Sequence, residues 1–405
     1  MPRFPLTPAA ALAMAAACTL VSAGPPLTEV GGAEPAPANA AAYNLAVGTQ
    51  TIGPAYHFTK DTALVETARR ILAMGSDILK ITVSPEYWKK YPGVPPDPSL
   101  ATPTAIVRDE PSYRAVLDMP FRHYLLWVYT IGGGWWDNGL SEAESRVEYR
   151  QIYDLTRCLL TRYAGTGKAF LLGHWEGDWH LLGGTDPSRE PTQSAVQGMI
   201  DWLKVRQKAV DDAKRDTPRR GVQVWCYTEV NLVQKAIQGR ATVTNSVLPK
   251  ANVDYVSYSS YDSLGGEGAA RREALTRALD YVESKLPPKP AVPGKRVFIG
   301  EYGAPGATVG ADQQERQARD VVRAALEWGC PYVLYWEMYC NEVVNGAHRG
   351  FWLIDDKGQE QPSYRLLSGF LRDARRWVEA FGRAHGRLPT RVEFGRAAAR
   401  LLDAR

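Results

Sequence analysis

Eight short runs of β-branched and aromatic residues, each followed by a stretch with helical spacing, recur along this chain from Tyr43 onward. Such alternation leaves few folds open, because consecutive parallel strands must be joined by long crossovers, usually helices. The strands are expected at 44–49, 77–83, 123–129, 168–174, 222–228, 253–259, 296–301 and 332–337. Most are near-continuous apolar runs, that from His123 to Tyr129 for example, as strands buried on both faces require. Between them, Ala274, Leu275, Ala278, Leu279 and Val282 share one helical face, as do Ala318, Val321, Val322 and Ala325. Ser141 with Glu144 and Asp312 with Glu315 have the form of capping boxes. Gly165, Gly221 and Gly329 stand where helices should stop. The second helix, near 112–119, is short and follows a long Pro-rich loop from Pro92 to Pro111, and the region after the fifth strand is weakly patterned. Eight repeats predict an α/β fold, a (β/α)8 TIM barrel with extra C-terminal helices. A doubly wound open sheet is the alternative, but no G-x-G-x-x-G or Walker-type loop supports it.

The barrel is expected over 43–375 and a C-terminal helical extension over 376–405, with a break near Arg387–Arg391. Residues 1–23 read as a signal peptide: Arg3 gives a positive start, Ala9 to Leu20 is apolar, and Val21-Ser22-Ala23 offers a cleavage site before Gly24. The run is short for a membrane span. The Leu expected three residues before a lipidated Cys is missing at Cys18, so a secreted or periplasmic protein is expected rather than a lipoprotein. The Pro/Ala/Gly-rich stretch 24–42 reads as a disordered linker. A net charge of +4 in 405 residues, with no dense Lys/Arg run among aromatics, argues against a nucleic-acid partner. No other stretch is apolar enough to cross a bilayer. Cys158, Cys226, Cys330 and Cys340 follow neither a disulfide framework nor a zinc site and are expected to be buried free thiols.

Barrel active sites lie at the carboxyl ends of the strands. The fourth strand ends in Leu171-Leu172-Gly173-His174-Trp175-Glu176, and the seventh in Ile299-Gly300-Glu301-Tyr302-Gly303. A carboxylate where an apolar strand emerges is costly unless it faces a site and has partners. The bland alternative is a strand-end Glu paired with a nearby Arg.

These two segments, in this order of elements, resemble clan A of the retaining glycoside hydrolases, with the cellulase- and mannanase-like families nearest. The resemblance covers roughly 43–375. It implies a Glu176 acid/base and a Glu301 nucleophile, acting on β-linked carbohydrate. It also implies a sugar-site floor at Trp336 and a hydroxyl partner for the nucleophile from Tyr258 or Tyr261. One departure stands out: the clan usually has Asn directly before the acid/base, holding the sugar's 2-hydroxyl, and this chain has Trp175 there. Asn231 or another group takes that role, or the substrate is unusual at that carbon. Asp178 and Glu229 remain alternative acid/bases.

Further substrate contacts are expected from Trp135 and Trp136 on the loop after the third strand, whose indoles suit sugar stacking, although a folded-back anchor explains them nearly as well. His57 is placed to meet a hydroxyl or merely a local partner. His174 is expected to orient Glu301 or substrate, Tyr227 to line the cleft or fill the core, and Glu337 to touch substrate or form an ion pair. No cofactor and no metal are expected, since a metal-dependent barrel would want His-x-His at the first strand, where only His57 stands. A non-catalytic glycan-binding barrel is the rival reading; it would keep the aromatics but needs neither glutamate.

Overall fold

The computed structural model describes residues 39–132, 136–218 and 220–405. The strands of its barrel are β1 (Val47–Gln50), β2 (Ile78–Val83), β3 (His123–Val128), β4 (Ala169–Gly173), β5 (Gln223–Val230), β6 (Tyr255–Ser259), β7 (Val297–Tyr302) and β8 (Val333–Tyr335). They pair in parallel in sequence order, and β1 closes the ring on β8. Closure excludes the open doubly wound sheet.

Alternation along each strand divides the core in two. Leu79, Ile81 and Val83 of β2 point outward to the helices, whereas Ile78 points into the barrel with Leu125, Leu171, Tyr227, Phe298 and Leu334. The interior is a packed core rather than a pore. Gly173 makes part of that packing possible, since a Cβ there would lie 2.3 Å from the Tyr227 ring.

The helices form where amphipathic periodicity and caps coincide. The helix Glu142–Arg162 opens on the Ser141/Glu144 capping box. The predicted Asp312/Glu315 box is not there: the helix Ala311–Trp328 starts two residues earlier behind Gly310, and Glu315 pairs with Arg319 instead. The stretch read as a loop to Pro111 contains a helix, Pro103–Asp109, capped by the Thr102 hydroxyl and started by proline in its first turn. The helix after β8 runs unbroken from Pro362 to His385, straight through residue 375, and the helix Arg391–Asp403 follows after the expected break. From the predicted linker, Ala40–Ala42 form a single 3-10 turn, and 1–38 lie outside the described residues. The four cysteines among the described residues are free, Cys158 only half-buried. No helix among the described residues is long and apolar enough to cross a membrane.

The carboxyl ends of β3 and β4 are fixed from outside. Arg206, on the helix Gln193–Asp216, is fully buried, pairs with Glu148 and donates to the carbonyls of Val128 and Gly173.

Candidate active site

A small register change builds the centre of the site. Tyr258 pairs with Ile299 but Ser259 pairs with Glu301, so β7 carries one extra residue, Gly300, against β6; against β8 it again spends one more residue between Ile299 and Tyr302. Phe298 points inward, so strict alternation would send Glu301 out to the helices. The bulge re-aims it into the barrel mouth. Gly300 is required there, because a Cβ would sit 1.7 Å from Ser257 Oγ and 3.1 Å from Glu229 Oε2.

Beneath Glu301 lies a buried ion cluster. Lys80, inward-facing on β2 and 0% exposed, donates through Nζ to Glu301 Oε1 at 3.1 Å, to Glu229 Oε2 at 3.0 Å and to the Gly300 carbonyl at 3.3 Å. Its ammonium also stands 4.2 Å from the centre of the Trp127 ring. Tyr261, just past β6, donates to Glu301 Oε2 at 3.4 Å. Burial pushes Glu301 up to about 8, with the Lys80 ammonium as the main opposing influence.

Glu176 stands at the end of β4, at the start of the short helix Gly177–Leu182, and is 7% exposed. Burial, then the negative charges of Glu301 and Glu229, push its carboxyl well above the ordinary range. No cation forms an ion pair with it among the described residues. Glu229 and Glu301 thus share one ammonium, and Glu176 has none. Glu301, with a lysine and a tyrosine to hold its charge, ionises before Glu176, which keeps its proton.

Glu176 and Glu301 line one cavity of about 900 Å³ together with Trp175, Trp179, Asn231, Tyr261 and Trp336. A second cavity of about 690 Å³ adjoins it, sharing Trp175, Trp336 and Glu342 and adding Trp127 and Tyr129. Trp336 thus forms a wall of both, and its indole N–H donates to Glu342 at 3.2 Å. Another cavity, between the helices Pro103–Asp109 and Glu142–Arg162, has no paired carboxylates and no aromatic side chain in its lining.

The structure separates the other expected residues. Asn231 reaches the cavity; its Oδ1 accepts from the Asp178 N–H, and its amide nitrogen donates to no described protein group. Asp178 is a buried staple for the main-chain N–H groups of Asn231, Leu232 and Val243, so it is no rival acid/base. Glu229 is fully buried, with both oxygens engaged and no place in the cavity lining, so it cannot reach a substrate. Tyr258 points away from Glu301, bonding Asp262 and Ser263. Tyr227 belongs to the barrel core. His174 is locked between Thr228 Oγ1 and the Trp175 carbonyl and orients neither Glu301 nor a ligand; it holds the turn that carries Glu176. Trp136 does not rim the cleft: it is buried against Trp202 and His180. Trp135 lies outside the described residues. His57 is half-buried and absent from both cavity linings. Glu337 forms no ion pair among the described residues; its Oε2 accepts the Ile52 N–H, and burial, with Glu301 and Glu342 nearby, raises it well above the ordinary range.

Lys80 and Ser257 are the site-shaping residues that sequence reasoning passed over, and Glu229 was weighed there only as an acid/base. The signal was available for Lys80: a lysine in the apolar run Ile78–Val83 is as costly as the glutamates that were noticed.

No family model matches this chain, and no curated protein matches it. Solved structures of the same fold do. A GH5_18 protein from Streptomyces cattleya, crystallised in complex with Manβ1-4GlcNAc, aligns with a TM-score of 0.55 at 16% identity, covering 82% of this chain and 80% of that one. A GH5_18 protein from Bifidobacterium longum subsp. longum aligns at 0.55 and 14% identity, covering 82% and 79%. An exo-β-1,4-mannosidase from an Opitutaceae bacterium aligns at 0.52 and 13% identity; 78% of this chain is covered, but only 56% of that protein. At such identities the likeness is one of fold.

Proposed function

We propose that this protein is a retaining glycoside hydrolase that cleaves β-glycosidic bonds, with Glu301 as nucleophile and Glu176 as acid/base. One observation carries the reading: two glutamates, one just after β4 and one on β7, face one aromatic-lined cavity in unlike surroundings, Glu301 held by Lys80 and Tyr261 and Glu176 by no cation among the described residues. Pairs whose environments split their protonation are what acid/base division of labour needs. The structures of similar fold include a mannosidase and a protein holding a mannose-containing disaccharide, which supports a carbohydrate substrate.

A Glu301 oxygen attacks the anomeric carbon as the bond to the leaving oxygen breaks, and that oxygen takes the Glu176 proton. Water then attacks the same carbon, gives its proton to Glu176 and releases Glu301. Trp336 offers a flat face to the C–H side of the ring, and Asn231 an amide to a ring hydroxyl. The carboxylates themselves meet the charge that develops on the sugar, so this chemistry needs no cofactor. The export signal read at 1–23 makes the enzyme secreted or periplasmic, which N-terminal sequencing of the exported protein tests.

The roles are tested by leaving-group dependence. Glu176→Ala should lose about 10²–10⁴-fold on natural sugars, whose alkoxide needs the proton. With an acidic phenol it should give a burst followed by slow turnover, and azide should speed that turnover. Glu301→Ala should show no burst with any leaving group. Equal losses on every substrate would mean the roles are wrong; no loss in either would place the active site elsewhere.

A further inference from the structure

We propose that Glu229 is a positioning residue that ties the segment bearing Glu176 to the lysine holding Glu301 and withholds part of that lysine's charge from Glu301. The inference rests on the glycosidase reading above, which gives Glu229 no task. Yet Glu229 is 0% exposed, and burying a carboxylate is costly unless its partners repay it. One counter-ion, Glu301, would already satisfy Lys80.

The bonds around Glu229 say what a second one adds. Its Oε1 accepts the main-chain N–H of Glu176 at 3.0 Å. Its Oε2 accepts from Lys80 Nζ at 3.0 Å and from Ser257 Oγ, its neighbour across the β5–β6 ladder, at 2.6 Å. A continuous chain therefore runs from the Glu176 backbone through Glu229 and Lys80 to Glu301. It crosses the barrel mouth through side chains alone and sets where the two working carboxyls stand relative to each other. Misplacement by about 1 Å at such a site can cost 10²-fold in rate.

The second consequence concerns charge. Lys80 stands nearly equidistant from two carboxylates, so Glu301 does not have the ammonium to itself. A nucleophile bound exclusively to a cation would attack sluggishly. The groups that face Glu301 are Lys80 from β2, Glu229 from β5, Glu176 after β4, Tyr261 after β6 and Glu337 after β8, with Tyr129 and Tyr227 close by. Lys80 is the only cation among them.

The titration of Glu301 can be followed without any substrate, by carbon-13 NMR of the full chain labelled at its glutamate carboxyls, the signal being assigned by its loss in Glu301→Gln. Glu229→Gln leaves Lys80 to Glu301 alone, so the Glu301 midpoint should move down by about one pH unit. Ser257→Ala removes a competing donor to Glu229, draws Lys80 toward it and should move the midpoint up. Should Glu229→Gln not fold, Ser257→Ala decides. An unmoved midpoint, or the opposite sign in either variant, overturns the charge-sharing role whatever the substrate. On an aryl β-glycoside, the acid limb of kcat/KM should follow the NMR midpoint, and Glu229→Gln should lower kcat by about tenfold or more with KM nearly unchanged. Midpoints that move as expected in a wild-type protein that cleaves no glycoside would leave the electrostatics standing and overturn the glycosidase reading instead.

Discussion

Replacing Lys80 by methionine keeps an unbranched stem and removes the ammonium that Glu229 and Glu301 share at 3.0 and 3.1 Å. No other cation among the described residues pairs with either carboxylate. Leaving a buried ion unpartnered costs about 3–5 kcal/mol, and a carboxyl so placed avoids the cost by taking up a proton. Glu301 already stands at about 8 with Lys80 pulling it down. Loss of a contacting cation raises a carboxyl by about 1–3 pH units, so the ionised fraction of Glu301 at neutral pH should fall about 10–10³-fold. The kcat/KM of Lys80→Met on an aryl β-glycoside should fall by that factor at pH 7 and recover as the pH is raised. Stability should follow the same sign. A carboxyl raised by the fold favours folding most below its unfolded value, and that advantage is lost as pH rises toward the folded value. Below about 8 both folded proteins keep the Glu301 proton and lose that advantage in parallel, so the variant should fall behind the parent between pH 8 and 9, at about 1.4 kcal/mol per pH unit over which only its folded state keeps the proton. Denaturant unfolding at the two pH values measures this. A pH–rate profile for Lys80→Met with the parent's acid limb would refute the reasoning, leaving the lysine as a space-filler.

Glu176→Gln removes a carboxyl raised chiefly by burial and bonded to no cation. By the same sign it should match the parent at pH 5 and exceed it by about 1 kcal/mol or more at pH 9, read by thermal unfolding, while turnover of natural sugars is lost. Trp336→Ala should lower kcat/KM about tenfold through lost ring contact, with the pH profile unchanged. Gly300→Ala places a methyl 1.7 Å from Ser257 Oγ and should cost about 1–3 kcal/mol with a lowered Tm and reduced activity; an unchanged Tm would mean the bulge is not where the structure has it.

Every strand was legible because parallel strands wetted on neither face leave long apolar runs, and the helices between them carry their own period. Glu301 was legible through its neighbours in sequence, but not the reason it faces the mouth: a bulge is a property of pairing with β6 and β8, which one strand's sequence does not contain. The choice between Tyr258 and Tyr261 could have been made by parity, since Ser257 faces Glu229 inside the barrel and its neighbour must face out. Trp136 was misread because an indole on a glycine-rich loop looks exposed until Trp202 and His180, distant in sequence, cover it. The ion cluster was missed for a related reason: β2 was read for its apolar majority, and Lys80 finds its partners 149 and 221 residues away.

The cluster also bears on how the ring chooses its own alignment. Lys80, Glu229 and Glu301 come from three strands that touch only through others, β2, β5 and β7. Apolar runs buried on both faces specify little about which residue should lie opposite which, since a shift by one exchanges one hydrophobic face for another. Shifting β2 by one residue would turn Lys80 out among the helices and strand two glutamates inside without their cation, at a cost of about 3–5 kcal/mol. Misaligned barrels are thereby penalised at the same point where the aligned one does its work. The charges that prepare Glu301 for reaction also count the strands into place.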